Sequence, residues 1–122
     1  MKNKSHKQKT YDRGLWAENI AKIYLIFKGY RIIQSRYKCP VGEIDIIAKK
    51  KNSLIFIEVK ARQTKTQALE SVTYKMRERI QRAAMHYCAR NNISDTAMRF
   101  DLISVIPPLK IHHLDNAWQP QA

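Results

Sequence analysis

Gly42-Glu43-Ile44-Asp45-Ile46-Ile47-Ala48 and, after a lysine-rich turn, Leu54-Ile55-Phe56-Ile57-Glu58-Val59-Lys60-Ala61-Arg62 decide how this chain folds. Both segments alternate apolar with other residues or run β-branched, as half-buried strands do, and the short basic interval joins them as a hairpin. Side chains two apart on a strand share a face, so Glu43 points with Asp45, and Glu58 with Lys60. With the turn over Lys50 to Ser53, Lys49 pairs with Leu54 and Asp45 falls opposite Glu58. Directly opposed residues hold their Cβ atoms about 5 Å apart, near enough for two carboxylates to grip one ion. A slip of one residue would send them to opposite faces and remove the site.

Acids gathered on strands stand out here, because the chain has 10 Asp and Glu against 23 Lys and Arg and a net charge of +13. With a pI near 10.0, the balance favours a polyanionic partner, nucleic acid first and an acidic membrane surface second. Two facing carboxylates repel, and burial raises the cost of ionising both. Mg²⁺ or Mn²⁺ reverses that cost, since hard cations take carboxylate and carbonyl oxygens and keep several waters. Asp45 and Glu58 offer two oxygens, the Val59 main-chain carbonyl a third, and Glu18 reaches in directly or through water. Such an ion lowers the pKa of a bound water, while Lys60 is placed to orient that water or to neutralise a pentavalent phosphorane. The competing reading is a wet sheet face whose cross-strand Glu–Lys pairs have no function.

At 122 residues the chain is one domain with room for a core. Residues 1–11 read as a basic disordered tail, 12–118 as the single folded domain, and 119–122 as a frayed C-terminus. A helix is expected to begin near Asp12 as its cap and to end at Gly29. Trp16, Ile20, Ile23, Tyr24 and Phe27 form its main buried stripe. Glu18 lies on the other side beside Ala17, Ala21 and Leu25 and is expected to be half-buried. Tyr30 to Tyr37 reads as the first strand, followed by the hairpin Gly42 to Lys49 and Ser53 to Arg62. A second helix runs from Leu69 or Val72 to about Arg90, burying Val72, Met76, Ile80, Ala83, Ala84, Tyr87 and Cys88. Met98 to Ile106 is a strand halted by Pro107-Pro108, and Leu109 to Trp118 a short edge strand with a turn. The order α-β-β-β-α-β predicts an α/β sandwich, a central mixed β-sheet flanked by helices.

Lys75, Arg79 and Arg82 share a helix face and, with Arg62, are candidate contacts to a nucleic-acid backbone; a solvated face is the alternative. Glu43 is expected to pair with Arg62 or Lys60 rather than to ligate, and Asp101 to form an ordinary salt bridge with Arg99. Cys39 and Cys88 lack paired spacing, and neither His86 nor His112-His113 has partners at zinc spacing. No apolar stretch reaches membrane-spanning length and no secretory h-region follows the first lysines. A reduced, cytoplasmic protein with free thiols and no membrane contact is the expectation.

Asp45, then Glu58-Val59-Lys60 after a hairpin, with a helical Glu18 upstream, resembles the core of the PD-(D/E)XK nuclease superfamily. Adding Gly14-x-x-Ala17-Glu18, Lys28-Gly29-Tyr30, Gly42-Glu43-Ile44-Asp45, Phe56-Ile57-Glu58-Val59-Lys60-x-Arg62, Ser71-Val72-Thr73 and Arg99-Phe100-Asp101, the chain looks like the YraN-type family of endonuclease-like bacterial proteins. The likeness runs from about Arg13 to Trp118. It implies a restriction-endonuclease-like fold, similar to archaeal Holliday junction resolvases. By that likeness Asp45 and Glu58 are metal ligands, Glu18 an auxiliary acid and Lys60 the catalytic lysine. One position departs from the family pattern: Met76 stands where a lysine is usual, flanked by Lys75 and Arg77. The resulting expectation is a Mg²⁺- or Mn²⁺-dependent endonuclease hydrolysing phosphodiester bonds of DNA, branched or flapped structures included, through metal-activated water. A catalytically silent nucleic-acid-binding module on the same scaffold is the alternative, and a protein-interaction partner the third reading. A homodimer is compatible with cutting two strands.

Overall fold

The computed structural model describes residues 5–120. Its elements are α1 (His6–Phe27), β1 (Arg31–Cys39), β2 (Gly42–Lys50), β3 (Ser53–Lys60), α2 (Lys65–Ser71), α3 (Tyr74–Arg90), β4 (Ala97–Ile106) and β5 (Lys110–Trp118). The strands form one five-stranded sheet in the order β1-β2-β3-β4-β5. Only β3 and β4 pair in parallel, because α2 and α3 carry the chain back between them; the other neighbours are antiparallel. Helices cover both faces. The near-continuous apolar run Leu54–Ile57 follows from that, since a strand buried on both sides has no wet face to alternate with.

α1 covers one face. Ala17, Ala21 and Leu25 pack there with Ile46, Ala48, Ile55, Ile57, Val59, Ile103 and Val105. α3 covers the other through Ile80, Ala83, Ala84, Tyr87 and Cys88, against Ile44, Ile47, Leu54, Phe56, Phe100 and Leu102. Among the described residues no helix is long and apolar enough to cross a membrane. Cys39 and Cys88 are free thiols.

Several boundaries differ from the sequence expectation. α1 starts at His6, capped by the Ser5 side chain accepting from the Gln8 N–H, rather than near Asp12. Lysine and glutamine are good helix formers, so the helix extends past its apolar part. Of the expected basic tail, residues 1–4 lie outside the described residues, as do 121 and 122 of the expected frayed end. The buried stripe of α1 is Ala17-Ala21-Leu25, with Trp16, Ile20 and Tyr24 packed beside it. Ile23 and Phe27, assigned to the core by periodicity, are 52% and 87% exposed. Small side chains let the helix axis approach the sheet closely, and packing chose that face over the larger residues. The expected second helix is two: a capping box of Thr64 and Gln67 opens α2, and Thr73 caps α3 through the Met76 N–H.

α1 ends in a Schellman turn. The Gly29 N–H donates to the Ile26 carbonyl and the Tyr30 N–H to the Leu25 carbonyl, and Gly29 sits at φ +88. This closure hands the chain directly into β1.

Candidate metal centre

The hairpin register is the expected one. Lys49 pairs with Leu54 and Ile46 with Ile57, so the next pair in line is Asp45 with Glu58. There the regular ladder stops. The Val59 N–H donates to Asp45 Oδ2 at 2.8 Å, a side chain taking the place of a strand carbonyl.

Strict alternation along β2 also fails at Asp45. Ile46 and Ala48 face α1, yet Ile44 belongs to the α3-side core, and a Cβ on Gly42 would lie 2.7 Å from the Arg79 carbonyl oxygen of α3. On β1, Arg36 has φ 53 and sits between the pairs Ser35↔Ile46 and Tyr37↔Ile44. The two strands turn over together at this point. As a result Asp45 meets Glu18 of α1 as well as Glu58 of β3.

A cleft of about 310 Å³ results, lined by Gly14, Leu15 and Glu18 of α1, Arg36 and Lys38 of β1, Glu43, Ile44 and Asp45 of β2, and Glu58 and Val59 of β3. Glu58 borders a second, smaller cleft on the α3 side with Glu43, Met76, Arg79 and Ile80. Glu43 and Glu58 line both clefts.

The electrostatics are those of crowded acids. Burial pushes the Glu58 carboxyl up to about 9, reinforced by the charge of Asp45 and a hydrogen bond with it; Lys60 pulls the other way and Glu43 adds a little. Without a cation, Glu58 therefore holds a proton at neutral pH, hydrogen-bonded to Asp45. Glu18 is also raised, by burial first and by Asp45, against the Arg36 guanidinium that lowers it. Arg36 Nε donates to Glu18 Oε2 at 2.9 Å, and its Nη2 stands 2.9 Å from the same oxygen as an ion pair. Lys60 Nζ stands 3.9 Å from Glu58 Oε1, a loose ion pair with side chains 18% and 13% exposed. Among the described residues no group of three or more His, Cys, Asp or Glu side chains is placed to hold a metal ion.

The donor set suits a hard cation that keeps water. Two carboxyl groups in contact, Glu58 keeping its proton, offer oxygen ligands without a full protein shell. Mg²⁺ or Mn²⁺ fits that description better than zinc, because no thiol or imidazole lines the cleft.

The other expected residues divide. Lys75, Arg79 and Arg82 line one groove with Pro40, Val41 and Glu78, where Arg82 donates to Glu78 at 2.5 Å. Arg79 also borders the Glu58 cleft, joining groove to acids. Arg62 lies apart, with Arg13, Gln63 and Pro107, its main chain held by the Ser104 hydroxyl. Glu43 forms no ion pair with Arg62 or Lys60 among the described residues; it is exposed and lines both clefts. The expected Arg99–Asp101 pair is present at 2.8 Å. Sequence reasoning missed Arg36, and nothing local announces it: an arginine with positive φ inside a strand has no composition signal.

A family model described as "Uncharacterised protein family UPF0102" matches residues 17–105. The chain is 43% identical over 106 residues to a UPF0102 protein of Caulobacter sp. (strain K31), spanning 86% of this chain and 76% of that one. It is 42% identical over 109 residues to one of Maricaulis maris (strain MCS10), 88% and 86% of the two chains. A UPF0102 protein of Clostridioides difficile (strain 630) shares 39% over 110 residues, 88% and 96%. The matched span contains Glu18, Asp45, Glu58 and Lys60, and with it the chain belongs to the UPF0102 family.

Proposed function

We propose that this protein is a metal-dependent nuclease of the PD-(D/E)XK type, with a restriction-endonuclease-like fold, that hydrolyses phosphodiester bonds of DNA. One observation carries the reading: Asp45 and Glu58 meet in a cleft where burial and mutual repulsion leave Glu58 protonated, a state that a divalent cation would relieve. Asp45 and Glu58 would hold the ion, and Glu18, steadied by Arg36, would reach it through water. A cation bound there supplies the charge that makes water a nucleophile at neutral pH and offsets charge on a phosphoryl oxygen. Lys60 brings its ammonium beside Glu58, placed to steady the attacking water or the developing negative charge. Lys75, Arg79 and Arg82 would track the strand backbone toward the acids, Arg79 standing in for the lysine absent at Met76.

Titration of Mn²⁺ into wild type and Asp45→Asn tests the centre without a substrate. Binding heat in the wild type and none in the variant is the expected result. Cleavage is then assayed on duplex, single-stranded, flap and four-way DNA. Absence of both heat and cleavage across metals would defeat the proposal.

The lack of a complete cage among the described residues favours a second reading, a nucleic-acid-binding module without turnover. That module predicts salt-dependent DNA binding with no metal requirement and no cleaved product.

A further inference from the structure

Two of the motifs that drew attention in the sequence, Lys28-Gly29-Tyr30 and Arg99-Phe100-Asp101, take no part in the carboxylate cleft. They converge instead beneath the C-terminal end of α1. Asp101 is fully buried there. It accepts from Arg99 Nε and Nη2 at 2.8 Å each, from the Asn116 N–H at 2.9 Å, and lies 2.7 Å from His113 Nε2. Burial alone would raise this carboxyl, but the hydrogen bonds from His113, Arg99 and Asn116 outweigh it and hold it below the usual range. Asp101 is thus a satisfied anchor, with no need of further cations.

What the anchor holds is a small aromatic wall. His113 Nδ1 lies 3.0 Å from the Tyr24 hydroxyl, and Arg99 Nη2 donates to the Tyr30 hydroxyl at 2.8 Å. Both tyrosine rings pack against the imidazole, with centroids 5.5 and 5.9 Å away. The wall borders a pocket of about 260 Å³ whose remaining lining is Lys28, Lys50 and Asp115. Lys50 Nζ sits 4.6 Å above the Tyr30 ring and Lys28 Nζ 5.9 Å above the Tyr24 ring. Neither ammonium takes part in an ion pair among the described residues. Three of the C-terminal carbonyls of α1, which would repel an anion, those of Tyr24, Leu25 and Ile26, accept from the N–H groups of Lys28, Gly29 and Tyr30.

Two ammonium groups on ring faces, the Tyr30 hydroxyl left free to donate because it accepts from Arg99, and a neutralised floor form a receptor for an oxyanion beside an aromatic surface. We infer that this pocket binds a phosphate group of a nucleic-acid strand at a site separate from the carboxylate cleft. The ring faces give the neighbouring sugar or base an apolar surface, and the lysines supply the charge that sequence-independent strand binding uses. The inference extends the nucleic-acid partner of the proposed function, but it needs neither metal nor cleavage.

The test uses the full chain carrying Asp45→Asn, without metal, so loss of the cleavage chemistry leaves it intact. A single-stranded oligonucleotide, inorganic phosphate and a glutamate-rich peptide are titrated separately while the ring resonances of Tyr24, Tyr30 and His113 are followed by NMR. Saturable shifts with the oligonucleotide are expected. Lys28→Gln with Lys50→Gln should weaken that response on the order of 10-fold without moving the melting temperature. Unmoved ring signals, or equal affinity in the double variant, would overturn the inference. So would signals moved by inorganic phosphate alone, which marks a free-anion site, or as strongly by the peptide, which marks a protein carboxylate. Failure of the nuclease reading shows elsewhere, in the Mn²⁺ titration and the cleavage assay.

Discussion

Glu58 is the residue on which the chemistry turns. A carboxyl at about 9 in the fold, against an ordinary value of 4.5, binds a proton that the unfolded chain releases between those values. The stability it contributes is complete below the unfolded value and is lost as pH rises through the folded one. Thermal melts of metal-free protein from about pH 5 to about pH 9 should therefore fall. Glu58→Gln should flatten that fall, Mg²⁺ should restore the wild type at the alkaline end, and at neutral pH its binding should release a proton. A wild-type melt independent of pH across this window would show that Glu58 ionises freely. For the proposed cleavage, Asp45→Asn and Glu58→Gln should each lower the rate on the order of 10²-fold or more, with DNA binding retained. Parallel loss of binding would instead place both acids in the strand-binding surface.

At the scale of elements, the site exists because β1 and β2 turn over together where Arg36 adopts a positive φ. That reversal brings Gly42 against α3, where an added Cβ would meet the Arg79 carbonyl oxygen at 2.7 Å. A backbone atom cannot swing aside as a side-chain tip can, so Gly42→Ala should cost about 1–3 kcal/mol in chemical denaturation. The helix carrying Arg79 would shift with it. An alanine tolerated at wild-type stability would show that α3 slides freely over the strand end. α2 gives an independent check. Thr64→Ala removes one half of its capping box and should cost about 1 kcal/mol, without touching metal binding.

For the molecule as a whole, a net charge of +13 predicts binding to DNA that weakens steeply with salt. Lys75→Ala and Arg79→Ala should each flatten the plot of log affinity against log salt by about 0.9, the contribution of one phosphate contact on duplex DNA, and Arg82→Ala should flatten it by less. Arg62→Ala should leave the slope unchanged, since Arg62 lies apart from that groove. A slope unmoved by all three would return this helix face to plain solvation. Glu78 beside Arg82 already offsets part of that arginine's charge, so the Arg82 effect should be the smallest.

The hairpin was legible in the chain itself. Apolar alternation and a two-residue turn set the pairing of Lys49 with Leu54, and local patterns of this kind depend on neighbours close in sequence. The later strands and the parallel step across a helical crossover followed from the same logic. The face of α1 did not, because Ala17-Ala21-Leu25 and the bulkier Ile23 and Phe27 are equally periodic. Only contact with the sheet chooses between two such faces. The neighbourhood of Asp45 was half legible: the register aligned it with Glu58, but its contact with Glu18 depends on a backbone reversal at Arg36. Residues distant in the chain also built the anchor at Asp101, which joins β4, β5 and the end of α1. Sequence determined which groups could come together; the burial and close approach that change their chemistry arise only when separate elements pack.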